Sequence, residues 1–129
     1  MNTPTPTDTS FIGIVTDKII ESRDFYTKHF AYTINHEKTD FICLHSPDGK
    51  RSLGFISPSQ AESSSILSQP FSGQGIYLTF SVPDADASLE YFRQNGVPIS
   101  RGIKTESRGE RLFMISDPNG VGIYISQHA

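Results

Sequence analysis

Apolar positions along this chain follow one arrangement twice. Residues 11–16 form a short apolar run, and beyond Asp17 the positions Ile19, Ile20, Arg23, Tyr26 and Phe30 recur at spacings of three and four. That is a strand leading into the face of a helix. Residues 76–82 again read as a strand, and Asp84 is placed to cap a helix whose apolar side is Ala85, Leu89 and Phe92, with Asn95-Gly96 as its stop. Strand-like segments complete both halves: residues 32–36, 41–45 and 52–56 after the first helix, and residues 97–103, 111–115 and 121–126 after the second.

Turn signals separate the last two strands of each half at matching places, Ser46-Pro47-Asp48-Gly49 in one and Ser116-Asp117-Pro118-Asn119-Gly120 in the other. Each half therefore reads β-α-β-β-β. A four-stranded sheet with one helix leaves its second face uncovered, and a cup closed by two such sheets is the economical solution. Residues 10–57 and 75–127 are the expected modules. Residues 58–74 are the expected linker, in a stretch (57–75) with seven Ser, two Pro and two Gly, and residues 1–9, with no apolar side chain after Met1, are expected as a disordered tail.

Composition narrows the function classes. Charged residues make up 19% of 129, below the ~25% of globular chains, so charge does not keep this chain unfolded. Lys and Arg number 11 against 14 Asp and Glu, a net charge of −3 that lacks the basic footprint of a nucleic-acid binder. The longest apolar stretch, residues 11–15, is far short of the roughly 20 residues of a membrane span or the ~7–15 of a signal peptide's core. No membrane partner is expected, and with one Cys the cytoplasm is the expected compartment. Nucleophile-elbow and phosphate-loop motifs are missing, and Leu78 breaks the dinucleotide pattern begun by Gly73-Gln74-Gly75.

Several segments together resemble the vicinal oxygen chelate superfamily, which includes glyoxalase I, extradiol dioxygenases, fosfomycin-modifying enzymes and bleomycin-binding resistance proteins. They are Val15-Thr16-Asp17, Arg23-Asp24-Phe25-Tyr26, Phe80-Ser81-Val82-Pro83-Asp84-Ala85-Asp86-Ala87, Asn95-Gly96-Val97-Pro98, and Arg111-Leu112-Phe113 leading into Asp117-Pro118-Asn119-Gly120. The resemblance implies an α+β fold of two tandem β-α-β-β-β modules forming a glyoxalase-like, cup-shaped sheet. In its metal-dependent members, His, Gln or Glu from the first and last strands hold a divalent ion. The matching positions here are Ser10, Tyr77, Leu53 and Tyr124, counting four residues beyond each turn Gly for the last strands. Neutral hydroxyls, a protonated phenol and an aliphatic group are poor donors for such an ion, so no metal and no other cofactor is expected. A divalent metal held by unorthodox groups is the alternative.

Strand alternation gives the expected lining. Tyr77, Thr79 and Ser81 share one face of the fifth strand, and Gly122, Tyr124 and Ser126 one face of the last. Ile12 and Ile14, with Leu53 and Phe55, are expected as the walls of the first half. Arg111 is expected to clamp an acidic ligand, and Glu110 to meet a basic one or act as a base. Arg108 is a further charged candidate in the same segment. His45, alternating with Phe41 and Cys43, is the second acid/base candidate, whereas His29 and His128 are explained by a helix end and the chain end. Cys43 lies within a strand, away from any helix N-terminus, and reads as a buried, inert thiol. The expected ligand-binding set is thus Tyr77, Thr79, Tyr124, Arg111, Phe55 and Ile14. The function these features predict is sequestration of a small organic molecule in a metal-free cup, in a homodimer. The alternatives are a lyase or dioxygenase-type enzyme with an altered metal or metal-free acid/base site, and a dimeric interaction module without ligand.

Overall fold

The computed structural model of the chain describes residues 10–58 and 67–129. The expected tail, residues 1–9, and most of the expected linker, residues 59–66, lie outside the described residues. The chain divides into two compact units, the first ending at Phe71 and the second starting at Ser72. In the first, β1 (Ile12–Val15), α1 (Ile19–Phe30), β2 (Thr33–Lys38), β3 (Phe41–His45) and β4 (Ser52–Ile56) follow in order. The second holds β5 (Tyr77–Ser81), α2 (Ala85–Gln94), β6 (Ile99–Thr105), β7 (Arg111–Ser116) and β8 (Gly122–Gln127). The sheet orders are β1-β4-β3-β2 and β5-β8-β7-β6, so each unit is a β-α-β-β-β module with the first strand parallel to the last. This is an α+β chain of two four-stranded sheets and two helices, the tandem β-α-β-β-β arrangement that the sequence predicts.

The helix sits on one face of its sheet in each unit, and that face is the core. Tyr26 of α1 is fully buried, its ring 5.6 Å from Phe55 of β4 and 6.0 Å from Tyr32. Ile42, Leu44 and Ile14 are buried on the same side of this sheet. In the second unit Phe92 of α2 meets Phe113 of β7 at 6.2 Å, and Ile115, Ile123 and Ile125 are fully buried beside it. At about 1.5–3 kcal/mol per buried large side chain, these layers are what makes short, four- to seven-residue strands stable. The sheet pattern follows from alternation: Phe113 and Ile115 of β7 and Ile123 and Ile125 of β8, at alternate positions, are the apolar side chains buried on the helix side.

The helices end differently. Asp84 accepts a hydrogen bond from the Ala87 N–H at 3.1 Å, as its position in the sequence predicts, and Gln127 of β8 accepts from the Ala85 N–H at 2.8 Å. Gly96, at φ 72°, then lets Val97 donate back to the Phe92 carbonyl at 3.0 Å and tuck into the core. The residue before α1 is Lys18, whose side chain caps nothing. Its own N–H is taken by Thr16 Oγ1 at 2.9 Å. The helix closes on Ala31 in the left-handed region, φ 57°, where Gly is the usual residue.

The matched turns differ by one residue. In the second unit Asp117 N–H donates to the Val121 carbonyl; in the first, Ser46 N–H donates to Arg51, so Lys50 is extra. Past that point the ladders coincide again, since Thr16 N–H donates to Ile56 and Val82 N–H to Ser126, both at 2.8 Å. Ile56 is therefore the counterpart of Ser126, and Gly54, not Leu53, is the counterpart of Tyr124. A shift of one residue moves a side chain to the opposite face of a strand. Leu53, expected at a ligand position, is buried at 4% exposure with Leu44 across the ladder, on the helix side of the sheet.

Candidate functional site

The face of the second sheet turned away from α2 gathers Tyr77, Thr79 and Tyr124 of the expected binding set. Register places Tyr77 beside Gly122, Thr79 beside Tyr124, and Ser81 beside Ser126, all on this face. Met114 pairs with Tyr124 and Leu112 with Ser126 on the next strand. Tyr77 is 64% exposed, and its ring meets that of Tyr124 edge to face at 5.4 Å and 87°. Gly122 leaves a gap beside them: a Cβ there would stand 3.5 Å from Met114 Sδ and 3.8 Å from Tyr77 Cβ. Two phenols, a thioether and a bare stretch of backbone thus make an apolar platform with hydroxyls at its margin.

The margin is polar for a definite reason. Glu110 precedes Leu112 by two residues, so it projects on the same face, and its Oε2 accepts from Ser126 Oγ at 3.4 Å. Ser81 Oγ lies 3.4 Å from His128 Nε2. His128 had a sufficient explanation in its place near the chain end, but the period-two continuation from Tyr124 through Ser126 to His128 was the signal for its orientation.

Arg111 is not available to clamp a ligand on this face. It alternates with Glu110 and turns to the helix side, where Nε and Nη2 donate to both oxygens of Asp86 at 2.8 and 2.9 Å and Nη1 donates to Thr105 at 2.9 Å. That bidentate pair holds the Asp86 carboxyl below its ordinary value and raises the guanidinium, each through the hydrogen bond to the other. Asp86 in the first turn of α2 captures the cation before any ligand does.

Ile14 and Phe55, expected as walls of a site, are instead core residues. They are register partners, 3% and 0% exposed, and Phe55 stacks against Tyr26 of α1. The opposite face of the first sheet carries Gly13, Gly54, Phe41, Cys43, Ile56 and His45. The Phe11 ring covers Gly54, where a Cβ would stand 2.6 Å from it, and it meets Phe41 at 6.1 Å. His45 stands at the end of β3 opposite Ser52, on this face and partly exposed, with Cys43 buried two residues away. Glu110 and His45 therefore belong to different units.

The donor set does not suit the divalent ion of the metal-dependent relatives. The structurally matched positions are Gly54 in the last strand of the first unit and Tyr77 and Tyr124 in the second, while Phe11 stands one residue before β1. Glycine and phenylalanine offer no side-chain donor, and two neutral phenols are weak ones. Among the described residues no group of three or more His, Cys, Asp or Glu could hold a metal ion. Also among them, no helix is long and apolar enough to cross a membrane.

A family model described as Glyoxalase/Bleomycin resistance protein/Dioxygenase superfamily matches residues 10–125. No curated protein sequence matches the chain. Solved structures do. A lactoylglutathione lyase from Agrobacterium tumefaciens is 18% identical with a TM-score of 0.71, over 95% of each chain. A glyoxalase/bleomycin resistance protein/dioxygenase from Nocardioides is 17% identical with a TM-score of 0.73, over 98% of this chain and 86% of that one. The VPC_CASS1 protein from the mobile metagenome of V. Pseudocholerae is 20% identical with a TM-score of 0.70, over 99% of both. At these identities the likeness is one of fold.

Proposed function

Because this chain belongs to the Glyoxalase/Bleomycin resistance protein/Dioxygenase superfamily, we propose that it binds a small organic molecule on the Tyr77–Tyr124 face of its second unit, holding it without bond chemistry. The observation that carries this reading is the exposed ring of Tyr77, 64% accessible and fixed edge to face on Tyr124. A large aromatic side chain left in water is an anchor for apolar ligand surface, and its partner ring removes the entropy that anchoring would otherwise cost. Gly122 gives a flat ligand access to the backbone between Tyr77 and Met114. Thr79, Ser81 and Glu110 supply the few polar groups that orient a ligand in an otherwise apolar site. Sequestration asks for no ion and no nucleophile, in keeping with a face whose former ligand positions hold phenols.

The chain contains five Tyr and no Trp, so ring signals of Tyr77 and Tyr124 are direct reporters. Benzyl alcohol titrated into the full chain is expected to shift those signals, saturably, and Tyr124→Ala to weaken the binding read on Tyr77 about tenfold while leaving the circular dichroism spectrum intact. Ring signals unmoved by millimolar benzyl alcohol, or moved equally in Tyr124→Ala, would overturn the reading.

A further inference from the structure

Every acidic side chain described in the second unit pairs with a cation or accepts from backbone N–H groups, except one. Asp86 is held by Arg111, Glu90 pairs with Arg93, and a single oxygen of Glu106 takes both Arg101 and Lys104. Asp84 caps α2, and Asp117 accepts the turn amides of Asn119 and Val121. Glu110 neither meets a cation nor caps a backbone. Its side chain touches only the Ser126 hydroxyl at 3.4 Å, well beyond the ~2.5–2.7 Å of a fully formed O–H···O⁻ bond, so most of its acceptor positions are open. Arg108 in the same turn and His128 on the same face form no ion pair with it among the described residues.

This carboxylate stands where a ligand would meet it. Leu112 faces Ser126 across the ladder, which puts Glu110 one pleat further along, and Ser81 lies on the other side of Ser126. Tyr124 precedes Ser126 by two residues, about 6.6 Å of strand rise, so the carboxylate held by the buried Ser126 and the exposed Ser81 hydroxyl border the aromatic platform at roughly the length of a benzyl group. A partly buried carboxylate without a cation is costly until one arrives, and phenol rings favour positive charge over their faces.

Resting on the small-molecule reading above, we propose that the ligand is an organic ammonium: an amine whose N–H groups are accepted by Glu110 and Ser81, with the buried Ser126 hydroxyl holding the carboxylate in place, and whose apolar or aromatic body lies on Tyr77 and Tyr124. The ion-paired cations of this unit are committed elsewhere, so the incoming ammonium is the cation that Glu110 lacks. The test compares three probes of one shape, benzylamine, benzyl alcohol and benzoate, titrated into the full chain at neutral pH and read on the Tyr77 and Tyr124 rings and the Glu110 amide. Benzylamine is expected to bind at least tenfold tighter than benzyl alcohol, and benzoate more weakly than either. Glu110→Gln is expected to abolish the difference in affinity between benzylamine and benzyl alcohol. Ser126→Ala, which keeps the carboxylate, is expected to retain a reduced amine preference of about threefold. Equal affinities for the amine and the alcohol, or an amine preference that survives Glu110→Gln, would overturn the ammonium assignment while leaving the platform standing. Probes that move no ring signal would overturn both.

Discussion

The two units share strand order and helix placement, yet they treat the face away from the helix in opposite ways. In the first, Gly13 and Gly54 leave the sheet bare and the Phe11 ring covers Gly54, with Phe41 beside it. In the second, the counterparts of those glycines are Thr79 and Tyr124, and the chain instead raises Tyr77 and Tyr124 as a standing pair with a carboxylate and hydroxyls behind them. A sheet face covered by the chain's own phenyl rings is satisfied. One that presents phenols, a gap at Gly122 and a carboxylate without a cation is the face on which the proposed ligand is placed. The helix sides show no such contrast: each is an aromatic pair, Tyr26–Phe55 or Phe92–Phe113, surrounded by aliphatic side chains.

That equality on the helix side is the easiest part of the comparison to break. Phe55→Ala and Phe113→Ala each remove a fully buried ring, and each is expected to lower unfolding free energy by about 3–5 kcal/mol in urea titrations. A small loss for Phe55→Ala, with loss of benzyl alcohol binding instead, would return Phe55 to the ligand site and remove it from the core. The opposite faces should respond differently. Tyr124→Ala is expected to weaken probe binding about tenfold, equivalent to ~1.4 kcal/mol, with a smaller effect on stability. Gly54→Ala, which drives Phe11 off the sheet, is expected to leave probe binding unchanged in the same titration.

The helix ends offer a smaller contrast. Asp84→Ala removes a cap and should cost about 1 kcal/mol by thermal denaturation, whereas Lys18→Ala, at a position whose side chain caps nothing, should change stability by less than half as much. The smallest expected effect is the response to acid. Burial, aided by Lys28, lowers the affinity of His29 in the first unit for a proton. The unfolded chain therefore binds that proton more readily, and the stabilisation present above the ordinary histidine value of ~6.5 is lost as pH falls below it. Asp86 in the second unit, depressed by Arg111, contributes stability above the ordinary carboxylate value of ~3.9 that is lost only as pH falls further. Thermal midpoints measured from pH 7.5 down to 3 should show His29→Gln flattening the weakly acidic part of the profile and Asp86→Asn the strongly acidic part.

Local chemistry made much of this molecule legible. The repeated strand–helix–strand pattern gave the module order, Asp84 and Asn95-Gly96 marked both ends of α2, and alternation assigned Tyr77, Thr79, Ser81, Tyr124 and Ser126 to one face. Periodicity of two needs only a continuous strand, so it succeeded where the strand could be anchored without ambiguity. It failed in the first unit, where counting from Gly49 passed through a turn one residue longer than its counterpart and so named Leu53 in place of Gly54.

The sequence by itself determined the periods, the turns and the caps, because each is decided by neighbours within a few positions and by the backbone preferences of Asp, Asn and Gly. Only the folded chain decided which candidate groups are spoken for. Arg111 and Asp86 are 25 residues apart and meet only because α2 packs across β7; Glu110, the residue before that strand and directed to the opposite face, stays without a cation for the same reason. Partnership between distant side chains depends on strand register and on which helix covers which face, and neither is written in any local stretch of residues.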